Sequence, residues 1–192
     1  MKPFKKFTKL LIFIPYYFFH CNIFFGIIFK ILFNKFSYKN INININVDNI
    51  KLSQLSSFLF KTYELNDRIL VEKYITTKNK SIVIGAGLGF IASLVFKNSQ
   101  KKILLFEIDK AIMENLENNM KQNNIDYELY NKNLVVVEKF TQSNFFYSTN
   151  NFLENSIYSK KGKKNYFNNI HYKSIKYFED FNTIVIDAEG SE

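Results

Sequence analysis

Three groups of residues have types and spacing that could do chemistry together. Gly85-Ala86-Gly87-Leu88-Gly89 places glycines at alternate positions, directly after the apolar run Ser81–Ile84 and at the start of a helical stripe formed by Leu88, Ile91, Ala92 and Val95. Glycines at a strand-to-helix turn let the backbone approach a ligand closely, and a helix start offers N–H groups with no intrahelical acceptor. Glu107 follows a second apolar run, Ile103–Phe106, and Asp187 follows another, Thr183–Ile186. A carboxylate beside such a loop can accept two hydrogen bonds from the hydroxyls of a ribose, and a second carboxylate can take the proton of a reacting hydroxyl. Glu189, two residues beyond Asp187, is the next acid in line for that role.

The loop spacing narrows the ligand. A dinucleotide fingerprint needs G-x-G-x-x-G or a terminal Ala, whereas position 90 is Phe, and no Gly-Lys-Ser/Thr follows for a phosphate-binding Walker loop. The G-x-G-x-G pattern fits better the S-adenosylmethionine loop of Rossmann-like methyltransferases. No metal site is expected. His20 and Cys21 have no further ligands nearby, His171 reads as a surface histidine, and the single cysteine excludes an intrachain disulfide.

The elements that must position these residues alternate along the chain. Ser81–Ile84 and Ile103–Phe106 read as buried strands. A helix between them carries the Leu88 stripe, and a second helix follows, capped by Asp109, with Met113, Leu116 and Met120 as its stripe. Tyr127 and Leu129 suggest a third strand, and Thr183–Ile186 a fourth. Strand–helix alternation with apolar strands implies a parallel sheet covered by helices. A hairpin is expected near 135–147, then a surface excursion with Lys160, Lys161, Lys163 and Lys164 at its tip. Upstream, the alternation of Ile41, Ile43, Ile45 and Val47 with Asn reads as a half-buried strand. Leu52, Leu55 and Leu59 imply a helix capped by Asp48 or Ser53. A short helix over 67–75 would bury Ile69, Leu70 and Tyr74.

Residues 10–29 contain no Asp, Glu, Lys or Arg and match the ~20 residues a spanning helix needs. Pro15 and His20-Cys21-Asn22 interrupt the run, so an interfacial segment or a helix packed on the domain are the alternatives to a span. The net charge of +9 rests on lysine, with Arg68 the only arginine, which argues against nucleic acid as a partner. The abundance of Asn, Ile, Phe, Tyr and Lys reads as a compositional bias of the coding sequence. The chain divides into a hydrophobic membrane-associating segment over 1–36, a lead-in strand and helices over 37–79, and a partial Rossmann-like domain over 80–192.

The segments IGAGLGFIASLVF and FEIDKAIMENLENNMKQNNI, with Tyr63-Glu64 upstream, resemble the FkbM-type methyltransferases. Asn131-Lys132-Asn133-Leu134 is similar to that family's Asn-x-Ala-Leu segment. Ile186-Asp187-Ala188-Glu189-Gly190 is similar to its Ile-Asp-Val-Glu-Gly signature. The resemblance implies an α/β, Rossmann-like class I methyltransferase sheet with S-adenosylmethionine as cofactor. Gly85, Ala86, Gly87, Gly89, Glu107 and Asn131 would hold the cofactor, and Asp187 and Glu189 would serve catalysis. It implies O-methylation of a small-molecule, sugar or lipid-linked acceptor, by a protein either membrane-associated with its domain facing the cytoplasm or cytoplasmic. Two departures stand out. Val83 replaces an acid usual two residues before the first loop glycine. The family fold also continues past the last motif, so the sheet is expected to be incomplete. The alternative reading is an inactive, truncated remnant acting as a binding module.

Overall fold

The computed structural model describes residues 22–45, 50–135, 142–147 and 163–187. In chain order the elements are α1 (Ile23–Leu32), β1 (Lys35–Tyr38), β2 (Ile41–Asn44), α2 (Leu52–Leu59), α3 (Leu65–Tyr74), β3 (Ser81–Ile84), α4 (Phe90–Ser99), β4 (Ile103–Phe106), α5 (Lys110–Gln122), β5 (Tyr127–Tyr130), β6 (Asn133–Val135), β7 (Gln142–Tyr147), β8 (Lys163–His171) and β9 (Thr183–Ile186). Four parallel strands in the order β5-β4-β3-β9 form the central sheet. The chain runs outward from β3 through β4 to β5 and returns to the other side of β3 with β9. The strand order therefore reverses at β3, which is the place where open α/β sheets bind ligands.

The apolar runs of β3 and β4 form central strands because both of their faces are covered. On one face Val83, Ile103 and Leu105 meet α4 and α5. On the other, Ile82, Leu104 and Phe106 pack with Ile175, flanked by Leu134 of β6, Ile170 of β8 and Phe178. Phe29, Phe36, Ile41, Ile43 and Leu55 belong to the same buried cluster as Leu94 and Leu116, so α1, the β1–β2 hairpin and α2 are packed into the sheet's helical layer. The hairpin turns at Lys39-Asn40, both at positive φ, as a two-residue connection between right-twisted strands demands.

The edge of β2 is closed by amides rather than by a strand. Asn119 Oδ1 accepts from Asn44 N (2.8 Å) and its Nδ2 donates to Asn44 O (3.1 Å). Asn123 Oδ1 accepts from Asn42 N (2.8 Å) and its Nδ2 donates to Asn42 O (2.7 Å). One helical turn apart, on α5 and at its C-cap, these side chains match the two-residue repeat of the strand edge and satisfy groups that burial would otherwise leave unpaired. The asparagines here are therefore specific, not a compositional residue.

Several expectations are corrected. The strand at 41–47 is described only as β2, Ile41–Asn44, and β1 was not foreseen. The N-cap of α2 is Lys51; Ser53 lies inside the helix and Asp48 is outside the described residues. In α3 the expected face of Ile69, Leu70 and Tyr74 is exposed, and Val71 is buried instead. The packed side runs through Arg68, Val71 and Ile75 at helical spacing, a mixed stripe whose polar members hide it from a hydrophobicity count. In α5, Ile112 and Asn119 join Leu116 and Met120 in the interior, with Met113 only partly buried. The hairpin over 135–147 does not form: β6 and β7 flank β8, parallel and antiparallel to it respectively. Lys163 and Lys164 start β8, while Lys160 and Lys161 lie outside the described residues. Most of the long apolar run lies outside them too, and among the described residues no helix is long and apolar enough to cross a membrane.

Asn119→Ala should lower stability by about 2–4 kcal/mol, because each buried partner left unsatisfied costs about 1–3 kcal/mol. Urea titration followed by circular dichroism would measure it, and a loss no larger than that of an exposed α5 substitution such as Glu114→Ala would contradict the amide clamp.

Candidate functional site

Parallel strands put all their C-terminal ends on one side of the sheet. The glycine loop after β3, Glu107 after β4, Asn131 after β5 and Asp187 after β9 are thereby gathered along one edge. Backbone hydrogen bonds continue the ladder past the strand ends: Gly85 N and Ala86 N both donate to Phe106 O (2.9 and 3.1 Å), Glu107 N to Tyr130 O (3.1 Å) and Asp187 N to Ile84 O (2.9 Å). Of the residues expected in the site, Glu189 lies outside the described residues.

Glu107 is buried, and its carboxylate joins two loops. Oε2 accepts from Gly87 N at 2.9 Å and Oε1 from Asp109 N at 2.8 Å. Burial pushes its pKa up, opposed by the backbone N–H groups of Asp109, Gly87 and Ile108. The carboxylate keeps acceptor capacity beyond these bonds. Asn131 is a neighbour in this arrangement, with Nδ2 donating to Glu107 O (2.9 Å) and Ile108 O (3.2 Å). It fixes the path of the loop after β4 through its amide nitrogen.

The glycines have different reasons. Gly89, at φ +86°, faces α5: a Cβ there would stand 2.3 Å from Met120 Cε and 2.8 Å from Leu116 Cδ1. Its smallness serves helix packing. Gly87, at φ +54°, would direct a Cβ into open space, with no atom within 4 Å. The outer side of the loop is thus clear at Gly87, while its N–H is held inward by Glu107. Asn119 Nδ2 donates to Leu88 O at 2.9 Å, tying the same loop to α5.

Two residues not placed in the site beforehand belong beside it. Tyr63 is buried and stacks on Phe58 with centroids 4.2 Å apart. Burial first, then the charges of Glu64, Asp187 and Glu107, hold its phenol well above its usual range. Glu64 adopts a left-handed conformation (φ 47°, ψ 38°) as the N-cap of α3. For a residue with a Cβ that costs about 1–2 kcal/mol. Its Oε2 is buried and has no hydrogen-bond partner among the described residues. Burial, and then the charge of Asp187, push Glu64 from 4.5 up to about 8, against a hydrogen bond from Tyr63. At neutral pH this carboxyl is therefore mostly protonated, beside an Asp187 half exposed to solvent. The only signal in the sequence was the resemblance carried by Tyr63-Glu64; nothing in local spacing brings the turn after α2 to the ends of β3 and β9. Val83, by contrast, is a core residue of β3 and offers the site no polar atom.

His171 ends β8, with its ring 4.7 Å from that of Tyr172. Among the described residues no group of three or more His, Cys, Asp or Glu could hold a metal ion.

No family model matches the chain. No curated protein matches it. Among solved structures it is similar to a putative protein-L-isoaspartate O-methyltransferase from Plasmodium falciparum in complex with S-adenosyl-L-homocysteine, with 13% identity over 55% of this chain and 48% of that one and a TM-score of 0.28. The match spans about half the length of that protein. A likeness of this extent assigns neither activity nor ligand to the chain.

The raised carboxyl of Glu64 has a definite sign in stability. Between 4.5 and about 8 the folded state holds a proton that the unfolded state has released. Stability from this group is full below that window and is lost as pH rises through it. The urea midpoint of the wild type should fall between about pH 4.5 and about pH 8 more steeply than that of Glu64→Gln, and run parallel to it at higher pH. Curves that are parallel within that window as well would refute the assignment.

Proposed function

We propose that the chain is a methyltransferase that binds S-adenosylmethionine at the ends of β3 and β4 and methylates a hydroxyl of a small-molecule, sugar or lipid-linked acceptor. The observation that carries this reading is the glycine loop held by Glu107 at the strand-order reversal, with the face of Gly87 left clear. The residues fit an adenosine-type group. The clear face admits a flat, close-lying ligand, the remaining acceptor capacity of Glu107 suits ribose hydroxyls, and a helix start such as that of α4 carries N–H groups without intrahelical acceptors.

When bound, this cofactor supplies a methyl on a sulfonium sulfur, so that an acceptor oxygen forms the new C–O bond as the C–S bond breaks and the hydroxyl proton leaves. The protein's part is positioning and proton handling. Asp187 stands at the tip of β9, across β3 from Glu107, and is the group to receive the acceptor's proton, with Glu189 as the second candidate. Glu64, protonated at neutral pH, is suited to donate a hydrogen bond to the acceptor or to Asp187. The protein would work in the cytoplasm or at a membrane facing it, where the cofactor is available.

A second reading is an inactive remnant that serves as a binding module. It is favoured by Val83 and by the backbone bonds that already engage both oxygens of Glu107 and the amide nitrogen of Asn131.

Calorimetric titration with S-adenosyl-L-homocysteine separates the two. Micromolar binding is expected, and Gly87→Ala should weaken it at least tenfold, about 1.4 kcal/mol, by placing a methyl on the clear face. The strain of a side chain at positive φ should lower Tm by only about 2–6 °C. Well-folded wild type that does not bind favours the remnant. With a radiolabelled methyl donor and an acceptor in hand, Asp187→Asn should bind cofactor as the wild type does but transfer methyl about 10²–10⁴-fold more slowly.

A further inference from the structure

We propose that α1 is a lipid-contacting helix that lies in the headgroup region of an anionic bilayer without crossing it. The rotation of α1 is fixed by its inner side. Gly26 is buried against α2 so closely that a Cβ would stand 1.6 Å from Leu52 O, which makes this a backbone-to-backbone contact. Phe29 is buried against Phe58, Phe25 packs edge-on against Phe60 at 4.9 Å, and Asn22 caps the first turn by accepting from Phe24 N at 2.9 Å. With that side locked, Ile23, Phe24, Ile27 and Ile31 are left in solvent on a single arc of the helix, the last 74% exposed. Leu32, the last residue of the helix, and Phe33 just past its end extend the exposed apolar surface. Six large apolar side chains in one short segment far exceed the scattered exposure of an ordinary surface and mark an interaction site.

Charge selects the occupant. The sequence has seven lysines and no acid before Asp48, so seven of its nine net positive charges precede that residue. Lys30, next to Ile31 on α1, and Lys35, two residues beyond Phe33, are exposed. Exposed apolar side chains with lysines around them suit the boundary between acyl chains and anionic headgroups, where each lysine near the surface adds about fivefold in affinity. A second copy of the chain would bring the same lysines together, and repulsion disfavours it. At ten residues α1 is about 15 Å long, half the hydrocarbon thickness, so it lies on the membrane and does not span it. The inference is independent of any cofactor at the sheet.

Flotation of the full chain with vesicles tests it. Wild type should bind vesicles containing about 30% phosphatidylserine, with binding weakened by salt, and should bind pure phosphatidylcholine at least tenfold less well. The double variant Ile27→Ser, Ile31→Ser should lose at least tenfold in vesicle affinity while keeping its circular dichroism spectrum and Tm, since both side chains are exposed. Three results would overturn the proposal: undiminished vesicle binding by the double variant, equal binding to neutral vesicles, or self-association in the absence of lipid that the double variant abolishes.

Discussion

The carboxylate of Glu107 receives two backbone N–H groups from different loops, and the edge formed by the C-terminal ends of the strands depends on it. Gly87 N belongs to the turn after β3 and Asp109 N to the turn after β4. Without an acceptor between them, two donors would face one another in a buried space. Hydrogen bonds to a charged group are worth about 1.5–3 kcal/mol each, enough to offset much of the cost of burying the carboxylate. The balance is visible in the direction of its titration, up through burial and down through the N–H groups. The loop path, the exposure of its clear face and the start of α4 all follow from this contact.

A second constraint carries the loop's position outward. Asn119 binds Leu88 O on one side and the edge of β2 on the other. Gly89 is small because Met120 and Leu116 occupy the space a side chain would need. The site is therefore coupled, through one helix, to a hairpin far away in sequence. That hairpin fills the helical layer and gives α5 a surface to bind.

The electrostatics of the site come from burial more than from pairing. Tyr63, Glu64, Glu107 and Asp187 are mutually felt charges or dipoles at one end of the sheet, and desolvation is the leading influence on the first three. At Glu64 this arrangement holds a proton at neutral pH where an exposed carboxylate would not. The left-handed backbone of Glu64 belongs to the same picture, since local strain persists only where surrounding packing over-determines it.

The sequence by itself determined the central elements. The limits of β3 and β4 were legible because a strand covered on both faces must be an unbroken apolar run, and β9 showed the same apolar run although Ile184 and Ile186 stay exposed at the sheet edge. The glycine turn and the cap at Asp109 were legible because their geometry is local: Asp109 Oδ1 accepts from Ala111 N at 2.8 Å. Parallel pairing then placed Gly85, Glu107, Asn131 and Asp187 on one edge with no further information. The tertiary structure alone decided the rest. Tyr63-Glu64 reach the site, β8 separates β6 from β7, and the amides of α5 close β2, because each of these contacts joins residues distant in the chain. The face that α3 buries was likewise set by its neighbour and not by its own apolar stripe. A local pattern records which side chains tolerate burial; which atoms they meet is fixed only when the layers assemble.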